Sequence, residues 1–284
     1  MNKLFIIVLL CLVHSVKGQD SLLLKFVPLP NKIYKSQIDF RTKAQGKLER
    51  KTVGTGKFEL SPTNLNVETV NTTESAMTTE NEENNRIPYI WKFIHSNSFQ
   101  KLNGKTSEIY TPLDGSTIYG FFDMTTAARK IDSVMNDELE FVEKLSLKNQ
   151  LEQSHGENTY SDVPIAIGAS FEKERFISIP VLGADDQEFI MTNRYTLKKI
   201  EKGIGYLESN ISFRLKSPNN EIQVLPNTNG FGIMQFDTKN QCVINETSEY
   251  NIYVSFVEGE NTLISQIWSK DSRTTKVQNK EFWK

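Results

Sequence analysis

Few residues in this chain have the chemistry that metal binding or nucleophilic catalysis needs, and they are spaced wrongly for either. Beyond the first eighteen positions the soft donors are His95, His155 and Cys242. A zinc site is built from close-set ligand pairs, and these three form none. A serine hydrolase places its nucleophile in G-x-S-x-G, which does not occur. Gly54-Thr55-Gly56-Lys57 lacks the earlier glycine of a phosphate loop and the hydroxyl after its lysine. With Phe58 and Leu60 following, it reads as a hairpin turn. The acidic pairs Asp185-Asp186, Asp137-Glu138 and Glu172/Glu174 could in principle support glycoside hydrolysis. Yet Asp185-Asp186 follow Gly183 as a solvated loop tip, and Glu172 and Glu174 share the polar side of one strand. No D-x-[DN]-x-[DN]-G calcium loop is present. These residues define no catalytic, cofactor-binding or metal-binding set, and the expectation is a non-enzymatic protein without a cofactor.

Aromatic side chains are the remaining lead. Trp91, Phe93, Tyr110, Tyr119, Phe121 and Phe122 fall within one stretch of the first half. Curved sheets with aromatic interiors can enclose an apolar ligand, as lipid-carrier half-barrels do, and these six are the candidate wall of such a site. Aromatics also build ordinary β cores. Both readings stand at this point.

The elements that must position them are mostly strands. In Tyr34–Arg41, Tyr34, Ile38 and Phe40 alternate with polar residues, a period of two that places them on one face. Phe189, Met191, Tyr195 and Leu197 do the same, and Leu207, Ile211, Phe213 and Leu215 repeat it after Lys202-Gly203, so the pair reads as a long hairpin. Further strands are expected at Tyr89–Ile94, Thr106–Tyr110, Phe171–Val181, Gly232–Phe236, Asn251–Val257 and Thr262–Trp268. Turn residues separate them at Asn103-Gly104, Asp114-Gly115, Pro218-Asn219-Asn220 and Glu258-Gly259-Glu260. One helix is expected at about 137–152, capped by Asn136 and carrying Leu139, Val142, Leu145 and Leu151 as its apolar stripe. Ala127–Val134 reads as a shorter helix or a turn into it. Residues 61–86, dominated by Asn, Thr and Glu, read as a flexible loop, because so few apolar groups cannot offset the entropy of ordering the chain. The fold class is therefore mainly β: curved antiparallel sheets with one central helix packed against them. A faint echo between Asn31-Lys32-Ile33-Tyr34 and Gly168-Ala169-Ser170-Phe171 leaves open two related halves.

The ends and the composition set the location. Lys3 is followed by the apolar run Leu4–Val13 and by Gly18, which is the layout of a signal peptide over residues 1–18. Ten residues are too few to span a bilayer core, which needs ~20 as a helix. Leu10 stands before Cys11 where a lipid anchor expects a small residue. Cleavage after Gly18 leaves a mature chain with no transmembrane span, exported to the periplasm or secreted. The chain has 33 basic and 35 acidic side chains. Such a mixed, mildly acidic balance offers nucleic acid no basic stripe. With Cys242 alone in the mature chain, no internal disulfide can form, and ordinary burial must supply stability. Residues 19–160 then form an N-terminal β-rich half and 161–284 a C-terminal antiparallel half, or the two form one continuous domain. Asn71, Asn210 and Asn245 each begin an N-x-[ST] triplet.

Val163-Pro164-Ile165-Ala166-Ile167-Gly168-Ala169-Ser170-Phe171 is a Pro-led apolar stretch with a Gly and an aromatic opening a long hairpin. That hairpin contains Arg194–Ile200 and Gly205-Tyr206-Leu207, and Gly230-Phe231-Gly232 opens the next strand. In this layout the chain resembles an uncharacterised family of exported Bacteroidetes proteins, a β-rich domain of unknown function. Phe171 stands where that family more often has Trp. The resemblance implies an exported β-rich fold and carries over no catalytic residue. The functional expectation is an exported, non-enzymatic protein that binds or builds. The alternatives are an envelope carrier of a lipid or other apolar ligand and, less favoured, a carbohydrate-active enzyme with paired carboxylates. The partner is an apolar small molecule or an envelope protein.

Overall fold

A computed structural model describes residues 21–26, 28–50, 65–126, 128–155, 161, 163–179, 187–217, 221–258 and 261–280. The expected signal peptide, the Gly54–Lys57 turn, Asp185-Asp186 and Pro218–Asn220 lie outside the described residues. In chain order the elements are β1 (Ser21–Leu22), β2 (Lys32–Arg50), β3 (Leu65–Thr79), β4 (Arg86–Leu102), β5 (Lys105–Ile109), β6 (Thr117–Asp123) and β7 (Ala128–Met135). Then follow α1 (Phe141–His155), β8 (Ile165–Ala166), β9 (Ser170–Ile179), β10 (Gln187–Glu201), β11 (Ile204–Leu215), β12 (Ile222–Val224), β13 (Asn229–Asp237), β14 (Cys242–Glu258) and β15 (Asn261–Asn279).

All but β1 and β8 belong to one antiparallel sheet, ordered β7-β6-β4-β3-β2-β15-β14-β13-β11-β10-β9, with β5 added to β4 and β12 to β14. The sheet is curved and does not close into a barrel. Its seam is the pairing of β2 with β15, which runs without interruption from Lys32↔Asn279 to Arg50↔Asn261. The first and last long strands thus lie side by side in the middle, and the sheet is continuous across the two halves of the chain. Bulges opposite Glu74/Ser75, Tyr119/Gly120 and Gln235/Phe236, and one at Lys198 between Leu197 and Lys199, sharpen the local twist.

The strand alternation seen in β2, β10 and β11 holds: Tyr34, Met191, Leu197 and Leu207 are all buried on one face. Lys202 and Gly203 both adopt positive φ, 51° and 77°, the pattern of a tight hairpin turn matched to the strand twist. Asn103-Gly104 does the same at φ 48° and 89°.

Three expectations are corrected. Within 61–86, residues 65–79 form a strand near the sheet centre, not a flexible loop. Its polar side chains are satisfied by neighbours on β2 and β4: Thr72 Oγ1 donates to Asp39 Oδ1 at 3.0 Å, and Thr73 shares a hydrogen bond with Ser96 at 3.2 Å. Cross-strand pairing supplies what local hydrophobicity does not. Ala127–Val134 is mostly strand β7, not a helix or turn. And α1 starts at Phe141, where the Glu140 N–H donates to Glu143 Oε2 at 2.8 Å as in a capping box. Asn136 instead ties the exit of β7 to the loop before β6, through Asp114 O and Ser116 Oγ. The buried side of α1 is Leu147 and Leu151, four residues apart, with Leu139 just ahead. Val142 and Leu145 lie on the opposite side of a helix with 3.6 residues per turn, and are exposed.

β7 and β9 are the two edges. Helix α1 packs on β7, and Glu152 Oε1 accepts the edge amide of Ile131 at 3.0 Å. An exposed row of backbone donors is thereby partly covered. The N-terminal segment crosses the inner face at one end: Leu22 sits against Gly205, and Phe26 meets Tyr34 and Phe122 edge-on at 6.0 and 5.9 Å.

Candidate functional site

Directly paired residues on neighbouring strands project to the same side of a sheet. Following the registers outward from Tyr34 therefore defines one inner face across all eleven strands. Its apolar residues fall into three separate cores. One gathers Tyr34, Tyr89, Phe93 and Phe122 under Leu147 and Leu151 of α1. A second holds Phe189, Met191, Ile252 and Val254 with Ala44 packed against it. The third joins Leu22 and Leu24 to Leu197, Leu207 and Phe236. Between Tyr34 and Ala44, the inner positions of β2 are Ser36, Ile38, Phe40 and Thr42. Ile38 and Phe40 belong to none of the cores, and Ile38 is 38% exposed. In the middle of the inner face Ile38 and Phe40 stand among Thr73, Asn71, Arg273 and Asp271, and none of the three cores of described residues covers them.

The six candidate wall residues separate. Trp91, Phe93 and Phe122 face inward, with the Trp91 and Phe93 rings 4.4 Å apart. Tyr119 and Phe121 pair with Ile90 and Pro88 and face outward, where Arg86 lies over the Phe121 ring at 4.5 Å. Tyr110 stands just past β5 and is exposed. As one wall the set does not hold, because alternation splits it between faces. The other candidates also disperse. His95 is exposed at a bulge beside Asn97 and Asp114. His155 ends α1. Cys242 is a buried free thiol that burial pushes up to about 12, so it stays protonated. Glu174 is exposed and pairs with Arg214 at 3.3 Å. Among the described residues no group of His, Cys, Asp and Glu could hold a metal ion. Asn71, of the three triplets, turns inward and accepts from Ser98 Oγ.

The charged residues on the inner face were not singled out in the sequence. Away from the strand ends they are Arg129, Lys173, Arg175 and Arg273 against Glu246 and Asp271. Cations outnumber carboxylates there, although the whole chain is net acidic. Arg129 is the extreme case, 8% exposed. Its guanidinium lies over the rings of Trp91, Phe122 and Tyr89 at 4.7, 5.2 and 5.9 Å. Nε and Nη1 have no hydrogen-bond partner, and neither does Nε of Arg273. Burial lowers the Arg129 pKa to about 10, the neighbouring Arg273 charge adding to that effect, so it remains a cation at neutral pH. Glu246 is shifted the other way by burial, upward, with Arg273 and Arg175 opposing the shift. The signal for Arg129 in the sequence was its phase: once β7 is a strand, Arg129 alternates with Ile131 toward the core.

No family model matches the chain, and no curated protein matches it. Among solved structures, a lipovitellin structure described as showing lipid–protein interactions superposes with 8% identity and a TM-score of 0.45, over 91% of this chain and 26% of that one. This chain thus spans about a quarter of the lipovitellin chain's length. The Pseudomonas aeruginosa MucA/MucB complex gives 6% identity and a TM-score of 0.15, over 86% and 94%. P. aeruginosa OccK7 (OpdD) gives 8% and 0.14, over 87% and 99%. None reaches a TM-score of 0.5, and none carries a function to this chain. No helix among the described residues is long and apolar enough to cross a membrane.

Proposed function

We propose that this is an exported, non-enzymatic binding protein that carries an apolar molecule against the inner face of its open, curved sheet. The observation that supports this reading is the middle of the inner face, where Ile38 and Phe40 stand outside all three cores. On one continuous face, three cores pack separately and leave between them a stretch where Ile38 and Phe40 alternate with polar and charged neighbours, an amphipathic surface. Ligand sites of apolar molecules are largely preformed and lined by aromatic and aliphatic side chains. Trp91, half-buried against the first core, supplies an aromatic side chain. The absence of a converging nucleophile, base or carboxylate pair among the described residues favours carriage over chemistry. Export follows from the leader expected at residues 1–18, and periplasm or exterior is the proposed location.

The test is to purify residues 19–284 after export to a bacterial periplasm and to extract them with organic solvent for mass spectrometry. A stoichiometric apolar molecule is expected. If the protein is empty and also fails to bind the fluorescent probe N-phenyl-1-naphthylamine, the carrier reading falls.

A further inference from the structure

We propose that the ligand is an amphiphile with an oxyanion head, carboxylate or phosphate, and that Arg129 on the inner face of β7 holds this head.

This rests on the carrier reading, and deepens it. Arg129 is more than nine-tenths buried, yet Nε and Nη1 donate to nothing. Buried guanidinium N–H groups without acceptors lose their hydration and gain no replacement, which is costly. Three aromatic rings compensate in part, since a cation over a ring face is attracted to it. But rings engage the flat faces of the guanidinium. Its donors lie in the plane, and in-plane donors are what carboxylate and phosphate oxygens accept from.

Among the described residues no carboxylate accepts from Nε or Nη1. Glu152 of α1 has its Oε1 taken up by the Ile131 amide. The other charge that acts on Arg129 is the cation Arg273, which itself has an orphan Nε. The two arginines lie on β7 and β15, five strand positions apart in the sheet order. On a flat sheet that is ~24 Å. Both stand on the inner face of the curved sheet. Glu246 and Asp271 sit beside Arg273, so the uncompensated charge is at the Arg129 end. There the aromatic rings flank it, and Ile38 and Phe40, outside the three cores, lie on the same face where a tail could rest.

The experiment compares cis-parinaric acid with its methyl ester by fluorescence titration of the full mature chain at pH 8. The wild type should bind the acid about tenfold more tightly than the ester, the scale of one charge-assisted contact. Arg129→Met should abolish that preference while leaving ester affinity within about twofold, and Arg129→Lys should restore part of it. Inorganic phosphate alone, titrated against bound acid, separates a free-anion site from a head-group site: weak competition only in the millimolar range is expected. Equal affinity for acid and ester in the wild type would overturn the inference, meaning that water satisfies the guanidinium, while leaving the carrier reading intact. Displacement by micromolar phosphate would overturn the amphiphile and leave a free-oxyanion site. Failure of both probes to bind would remove the carrier reading and this inference together. Should Arg129→Met not fold, the wild-type comparison still decides.

Discussion

The guanidinium of Arg129 lies 4.7 Å from the centre of the Trp91 ring, although β6 separates their strands in the sheet. This contact places inside an aromatic core a charge of which two donor nitrogens, Nε and Nη1, have no acceptor. Its stability consequence is opposite to that of an ordinary core residue. Replacing a buried, unpaired charge by an apolar side chain of similar length removes a desolvation penalty, so Arg129→Met should raise the stability of the ligand-free protein by about 1–2 kcal/mol. Trp91→Ala should lower it by about 3 kcal/mol, through the cavity and the lost ring contact. Urea denaturation of the two variants at neutral pH checks the pair. A destabilised Arg129→Met would mean that the guanidinium is well satisfied in the free protein.

Edge protection gives a second expectation. Glu152 Oε1 accepts the Ile131 amide at the open side of β7. Glu152→Gln keeps a side-chain oxygen that can accept this amide and should be nearly neutral. Glu152→Ala leaves the amide without its partner and should cost about 1 kcal/mol. Amide hydrogen exchange resolved to Ile131 is the direct readout: protection should fall in the alanine variant and persist in the glutamine variant.

Gly120 provides a third. A Cβ there would stand 2.1 Å from the Lys130 carbonyl oxygen and 2.6 Å from the Tyr89 hydroxyl. The missing side chain lets the Tyr89 ring cross β6 so that its hydroxyl donates to Lys130 O at 3.1 Å. Gly120→Ala must therefore push β7 away or displace Tyr89, and should cost about 2–3 kcal/mol. Tyr89→Phe in the same background should relieve little, because the carbonyl clash remains. Thermal melts of the two variants and their combination test this.

Glu246 sets a pH dependence with a definite sign. Its carboxyl is raised above the ordinary value, burial being the largest cause. A group whose folded pKa is raised favours folding fully at pH below its unfolded value, and that contribution is lost as pH rises through the folded value. Glu246→Gln should thus be more stable than the wild type at pH 7 and 8, with the difference vanishing toward pH 4. Denaturation midpoints of both proteins across this range decide it; a difference independent of pH would contradict the assignment.

How much of this was legible beforehand follows from what periodicity can encode. Alternation alone placed Tyr34 and Phe40 in one phase, Met191 with Leu197 in another strand, and Leu207 with Ile211 in a third, because the two-residue repeat of a strand is written in the local sequence. Asn103-Gly104 and Lys202-Gly203 announced their turns for an equally local reason, the tolerance of Asn and Gly for positive φ. The curved antiparallel sheet with a single helix followed from these signals. Tertiary structure decided the rest. Whether Trp91 or Tyr119 faces inward depends on which strand pairs with which and where bulges reset the phase, and no single segment carries that. β3 is a strand because β2 and β4 flank it and accept its Thr and Asn side chains, not because its own composition drives it there. Arg129 is a buried cation because of tertiary packing: the rings around it come from Tyr89 and Trp91 on β4 and Phe122 on β6, brought to β7 by strand pairing that its own segment does not encode.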